Sequence, residues 1–506
     1  MAGIHQDKPR KVIPLWKPFS ESAAHGELSS LRGERGSELS TIYFEHSLLE
    51  WRTEHTLVAA VDVVHAAVVL GVRSEAIDAA RFVVDHLPNK QSAAMQLAEG
   101  LLDKTPRAPS QSHRILKVEH THERIARLKR QTVIFPESPF VWVDLARSYA
   151  TIGHSHKARR AMMCALSLAP ANRFVVRCAV RFLIHQDEFG AAHDIVRRIA
   201  KDNADPWLLA AEIASSSAAG KTSQNVKRAR RLIDASSFFP FDTSELASAL
   251  GTLELEAGKV KQGRKLFLLS LQDPTQNSVA QAIWAAPKFS HSEMQFPEEN
   301  DWPDSGEAFA MGYRRVGKWG EAIEATKRWQ QEQPFSSRPA ELGSYLAGLV
   351  AGSMEDAVAF AQTGLLANPD NFTIRNNLAF SLAKLDRNEE ARKALAPLKK
   401  SELTVSEVPV WYATRGLIAF RAGDTPEGQR LYQEAIQLMK DDPARQAFAR
   451  MYWALEEIRA GTDSAHVLAS EALAEARRQK DKEMIFLVKR LERDLNPGTF
   501  TDGDHT

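Results

Sequence analysis

The strongest constraint on this 506-residue chain is a pattern that returns about every 34 residues. Its clearest copy runs from Pro139 to Asn172. Trp142, Leu145, Ala146 and Tyr149 fall at spacings of three, one and three, which puts them on one face of a helix. Gly153 then breaks that helix, as a residue without a Cβ does at a tight turn. A second helix follows with Ala158, Met162 and Ala165 facing inward, and Pro170 closes the unit because proline has no N–H to continue a helix.

Six further windows carry the same offsets. They hold Gly71, Ala76, Ala80, Val83 and Pro88; Leu250, Gly251, Gly258 and Phe267; and Ala310, Tyr313, Gly317, Ala322 and Pro334. Next come Gly352, Ala357, Ala361 and Pro369; then Leu378, Ala379, Leu382 and Ala391; and last Gly416, Gly423, Tyr432 and Ala435. Pro136 and Pro170 are 34 residues apart, and Pro334 and Pro369 are 35 apart. Together these residues resemble the tetratricopeptide repeat, and the likeness covers most of Leu57 to Arg493. It implies an all-α, superhelical solenoid of helix pairs, with Ala146, Ala158 and Ala165 where paired helices come closest. Such units bury their apolar faces only by stacking, which leaves a concave groove lined by the first helix of each pair. Two stretches depart from the pattern. Arg173 to Asn203 has Asp187 where glycine is usual, and Ser215 to Ser223 lengthens a turn. The last helix, Lys482 to Leu495, sets Met484, Phe486, Leu487 and Leu491 against Lys489, Arg490 and Arg493, and is expected to cap the stack.

The breaks in the pattern divide the chain. Residues 1–40 lack sustained periodicity and are expected to form a mobile tail. Within it, Lys11-Val12-Ile13-Pro14-Leu15-Trp16-Lys17-Pro18-Phe19 is apolar enough to act as an anchor, either on a partner or on this chain's own first helices. Residues 41–284 form an N-terminal array. Residues 285–305 form a linker, where Pro287, Pro297 and Pro303 among Glu298, Glu299, Asp301 and Asp304 forbid a continuous helix. A C-terminal array spans 306–495, and 496–506 is a disordered tail. A loop is expected at Asp103–Ser112.

The chemistry-bearing motifs are decoys. Gly220-Lys221-Thr222 lacks the earlier glycine of a phosphate loop, since Ser215 stands there, and a helical pattern precedes it where a strand is needed. It fits an interhelical turn. His113, His120 and His122, and likewise His154 and His156, lack the spacing by which two ligands converge on a metal. No Gly-x-Ser-x-Gly elbow occurs, and neither Cys164 nor Cys178 has a histidine at a spacing that suggests a nucleophile pair; both fall at apolar helix positions and are expected to be buried thiols. No catalytic residue, metal or cofactor is therefore expected. The polar N-terminus and the absence of long apolar runs lead to a cytoplasmic chain without a membrane segment.

Lys+Arg number 65 and Asp+Glu 64, yet residues 105–235 hold 22 basic against 11 acidic side chains. The resemblance places Phe140, Val143, Arg147, Thr151, Phe174, Arg177, Arg181 and His185 on the groove, and Asn376 and Phe380 at equivalent places in the C-terminal array. Arginines interleaved with aromatics suit the clamping of carboxylates or planar groups. The family's lysine–asparagine clamp for chaperone tails is not reproduced. The expected role is a non-catalytic scaffold or adaptor that grips a segment of another protein at Phe140, Arg147, Phe174, Arg177, Arg181, His185, Asn376 and Phe380. The alternative is a nucleic-acid-associated accessory subunit using the basic 105–235 region.

Overall fold

The computed structural model describes residues 10–19, 38–70, 74–87, 93–102, 118–200, 205–236, 238–289, 305–479 and 482–495. Among these there are 25 α-helices and no strand. The expected loop at 103–112, residues 290–304 of the expected linker, His113 and the 496–506 tail lie outside the described residues.

The chain forms two compact units. The first holds residues 9–308 together with 331–335; the second holds 309–330 and the chain from 336 onward. Helices of the first unit are α1 (Glu38–Glu54), α2 (Leu57–Leu70), α3 (Ile77–His86), α4 (Ala93–Leu102) and α5 (Val118–Ile134). Regular pairs follow: α6 (Pro139–Thr151) with α7 (Ser155–Leu168), and α8 (Arg173–His185) with α9 (Phe189–Ala200). Next come α10 (Pro206–Ala218) with α11 (Val226–Asp234), α12 (Pro240–Glu256) with α13 (Val260–Ser270), and the single helix α14 (Gln276–Ala285).

What makes these pairs is local. Each first helix opens on a side chain that caps its free N–H groups or on a proline at its first position. Asn172 accepts from Phe174 N and Val175 N, Asp205 accepts from Trp207 N and Leu208 N, and Pro139, Pro206 and Pro240 stand at first helical positions. Each turn between partners ends in a left-handed residue: Gly153, Asp187, Gly220 and Gly258 have φ of 70°, 58°, 66° and 75°. Asp187 thus occupies the glycine position of a regular turn, so the stretch from Arg173 folds as an ordinary pair. Gly220 ends α10, and the phosphate-loop look-alike is a helix C-terminus.

Small residues sit where partner helices approach. Ala146, Ala158 and Ala165 are fully buried. A Cβ on Gly251 would meet the Gly263 carbonyl at 3.3 Å and the Phe267 ring at 3.0 Å, so α12 and α13 touch nearly backbone to backbone. Cys178 is buried, while Cys164 on α7 is only partly so, a departure from the two buried thiols expected.

The second unit repeats the device. It comprises α15 (Gly306–Val316) from Phe309 on, α16 (Trp319–Glu332) up to Gln330, α17 (Ser337–Ser344), α18 (Met354–Ala367), α19 (Phe372–Lys384) and α20 (Asn388–Leu395). It ends with α21 (Val408–Arg421), α22 (Thr425–Leu438), α23 (Pro443–Ala460), α24 (Ala465–Arg478) and α25 (Lys482–Leu495). Gly317, Gly352, Asp386, Gly423 and Gly461 are its left-handed turn residues, 34 to 38 apart. α17 widens into a π-helix over Tyr345–Ala351, and two of the carbonyls there are taken by side chains. Tyr452 Oη donates to Leu349 O, and Arg490 Nη2 donates to Val350 O at 3.2 Å.

Candidate binding face

Residues 11–19, expected as an apolar anchor on a partner or on this chain's own first helices, lie with Arg10 on the helices of the first unit. Arg10, Val12, Pro14 and Trp16 are buried, whereas Lys11, Ile13 and Leu15 are half-buried. That period of two belongs to an extended chain with one edge turned inward. The segment crosses the first helices of successive pairs against their order in sequence, from α14 to α6.

Its Arg10 end is held by polar groups. The guanidinium grips both carboxylate oxygens of Glu307 at 2.9 Å, and also donates to Gln281 Oε1 and Asn277 Oδ1 at 2.8 Å each. Asn277 and Gln281 lie one turn apart on α14 and donate back to the segment's carbonyls, at Ile13 O (3.0 Å) and Arg10 O (2.8 Å). Lys11 pairs with Glu256 at the end of α12. Val12 enters the apolar cluster of Leu209, Ala210, Ile213, Leu246 and Leu250.

The other end is aromatic. Trp16 has no exposed surface and meets Phe335 and Phe182 with centroids 5.0 and 5.8 Å apart. Phe19 stacks on Phe140 at 4.2 Å and stands edge-on to Phe174 and His65. The backbone is read as well: Phe19 N donates to Asp144 Oδ1 at 3.0 Å, and Arg147 Nε donates to Trp16 O at 2.9 Å. Phe335 explains why residues 331–335 belong to this unit rather than to the array that follows it in sequence.

The groove positions named from the sequence can now be placed. Phe140, Arg147 and Phe174 converge on the segment and are buried by it. Arg147 clamps no carboxylate; it donates to two backbone carbonyls, the second being Glu332 O at 2.8 Å. Arg177 is locked in a buried ion pair with Glu245 at 2.9 Å and lies 4.5 Å from the centre of the Trp207 ring. Arg181 and His185 pack on Phe335, at 5.0 and 5.4 Å. Burial, and secondarily the Arg181 charge, pulls the His185 pKa down to about 4. Burial alone pulls His65 down to about 3.

Asn376 and Phe380 sit in the second unit, apart from this set. Both are buried, and Phe380 stands edge-on to Tyr452 at 5.1 Å. They adjoin a polar cluster in which Lys384 and Arg421 share the Glu456 carboxylate. Burial lowers the Lys384 pKa against the pull of Glu456. The helix α25 packs here too: Arg314 and Tyr345 both bind Glu483, and Trp319 meets Phe486.

Glu307, Asn277, Gln281 and Phe335 were not anticipated. One signal was present, since two carboxamides four residues apart on a first helix put hydrogen-bonding groups where a groove floor is otherwise apolar. Among the described residues, no group of three or more His, Cys, Asp or Glu is disposed to hold a metal ion, and no helix is long and apolar enough to cross a membrane.

Helix pairs of about 34 residues, small residues at their contacts and a left-handed residue at each turn decide the architecture. This is a tetratricopeptide-like helical repeat protein. No family model and no curated protein matches the sequence. Among solved structures, the chain is similar to the hetero-tetramer of Cut9 with Hcn1, at 14% identity over 89% of this chain and 95% of that one, with a TM-score of 0.40. It is similar to yeast Tom70 at 11% identity over 75% and 93%, with a TM-score of 0.28. It is also similar to a monomeric IFIT1 mutant with Gppp-AAAA, at 13% identity over 94% and 99%, with a TM-score of 0.32. Likenesses of this size carry no argument about what this chain binds.

Proposed function

We propose that this protein is a non-catalytic interaction scaffold whose working surface is the inner face of the first unit. The observation behind the proposal is the seated segment itself. Groove side chains hold its carbonyls at residues 10, 13 and 16 and its amide at residue 19, so the face is built to grip an extended polypeptide. Main-chain hydrogen bonds supply affinity and alternate side-chain pockets supply selectivity, the usual division of labour in extended-peptide recognition.

The nucleic-acid alternative loses support from the pairing of the basic stretch. Arg159, Arg173, Arg177 and Arg230 are engaged with Glu188, Asp205, Glu245 and Glu254. Glu188 and Asp205 already count among the 11 acidic residues, and Glu245 and Glu254, outside the stretch, offset two of its 11 surplus charges.

Affinity capture from native lysate tests the reading, with nuclease-treated and untreated samples run side by side. A protein captured better by Arg10→Glu than by wild type, insensitive to nuclease and lost when Glu307→Arg is added, is the expected result. Capture indifferent to both substitutions would overturn the assignment of the face. Capture that vanishes with nuclease would bring the nucleic-acid reading forward.

A further inference from the structure

From the seat of residues 10–19 we infer that the partner of this face is an extended segment that is itself basic and aromatic. It enters in the same register, with an arginine, an aliphatic residue two positions on and aromatic residues six and nine positions on. This deepens the scaffold reading and rests on it.

The chemistry of the face sets those requirements. The segment carries Arg10, Lys11 and Lys17 and no acidic residue, and it lies against Glu307, Glu256 and Asp144. Of the arginines expected to attract an acidic ligand, Arg177 is spent on Glu245, Arg147 on the carbonyls of Trp16 and Glu332, and Arg181 lies over the Phe335 ring. An acidic peptide would bring its carboxylate to the buried Glu307, a like-charge contact out of water. Lysine cannot replace the arginine, because two carboxylate oxygens and two carboxamides are met by one planar fork. The aromatic at the sixth position fills a slot between Phe182 and Phe335, and that at the ninth stacks on Phe140. The slot tolerates residues other than tryptophan, since Trp16 Nε1 is buried there without a hydrogen-bond partner. Residues 10–19 occupy the face at the high effective concentration of a tethered ligand, on the order of millimolar. A partner segment therefore takes their place rather than adding to them.

The test uses the full-length chain and two labelled peptides: one with the sequence of residues 10–19, and one with Arg10→Glu. Wild type and the opened variant Arg10→Glu are titrated with each, and Trp16→Ala serves as a second opening that frees the other end. The first peptide should bind either opened chain at least about tenfold more tightly than wild type, about 1.4 kcal/mol, and the reversed peptide should bind none. On wild type alone, a millimolar excess of the first peptide should speed amide exchange at Phe19, whose N–H is otherwise held by Asp144. Equal binding to opened and wild-type chains, equal binding of the reversed peptide, or Phe19 exchange unmoved by the peptide would each overturn the inference. So would a concentration-dependent dimer dissolved by the peptide, which would make the occupant a second copy's own segment. Groove-dependent capture from lysate surviving any of these results would leave the scaffold reading standing while this motif fell.

Discussion

Arg10 and Glu307 stand 297 positions apart in sequence and meet through two parallel N–H···O bonds of 2.9 Å, with side chains 5% and 7% exposed. Bidentate geometry and burial make this the contact that fixes the end of the seated segment. Removing one partner strands the other charge out of water. Glu307→Leu or Arg10→Met alone should each cost the first unit about 3–5 kcal/mol. The double variant should cost less than the two singles added together. Urea unfolding of the four proteins measures this, and strict additivity would show that the pair is not coupled.

Two glycine substitutions should move stability in opposite directions. A Cβ at Gly364 would overlap that of Ala340, where α17 and α18 touch, whereas nothing lies within 4 Å of one built at Gly312. Gly364→Ala should lose about 1–3 kcal/mol through overpacking. Gly312→Ala, inside α15, should gain about 0.5–1 kcal/mol from helix propensity. Thermal unfolding of each against wild type gives the sign directly.

Asp187 holds φ of 58° at an exposed turn where most other pairs use glycine. Asp187→Gly should be tolerated, while Asp187→Val, β-branched in a left-handed conformation, should cost about 1–2 kcal/mol. Equal stability of the two variants would show that the turn relaxes to another backbone shape.

His65 and His185 give the first unit a pH dependence. Their folded pKa values, about 3 and about 4, lie below the ordinary 6.5, so both stay neutral in the fold while the unfolded chain takes up the protons. Stability is therefore full above 6.5 and falls as pH drops through 6.5 toward 4, by at most about 1.4 kcal/mol per pH unit for each histidine. Melting curves from pH 7.5 to 5 check the sign. His65→Gln, which cannot titrate, should remove about half of the slope if the two contribute alike.

The helix pairs were legible because their determinants are local. A turn glycine, an N-terminal proline and small contact residues all act within a few positions, and they recur at a fixed period. Asp187 looked like a fault because αL aspartate and αL glycine are interchangeable in shape but not in a pattern match. The face was half legible. Phe140, Arg147 and Phe174 follow from helix position, but what covers them lies more than 120 residues upstream, and no periodicity relates the two. The Arg10–Trp16 alternation of inward and outward residues was visible as an apolar stretch. Whether it met a partner or its own chain depended on Glu307 and Phe335, residues that no local rule could connect to it.

The reversed path of residues 10–19 across the helices also orders the making of the protein. Trp16 and Phe19 are synthesised before every helix they pack on, yet the slot for Trp16 is incomplete until Phe335 exists, and Arg10 has no carboxylate until Glu307 does. At about 5–20 residues per second, the interval is roughly 15–60 s. During translation the nascent chain must carry a sticky, cationic segment past every repeat it will later bind. The segment is made before the helices it binds and seated after them, so its docking reports that the first unit has been completed as far as Phe335.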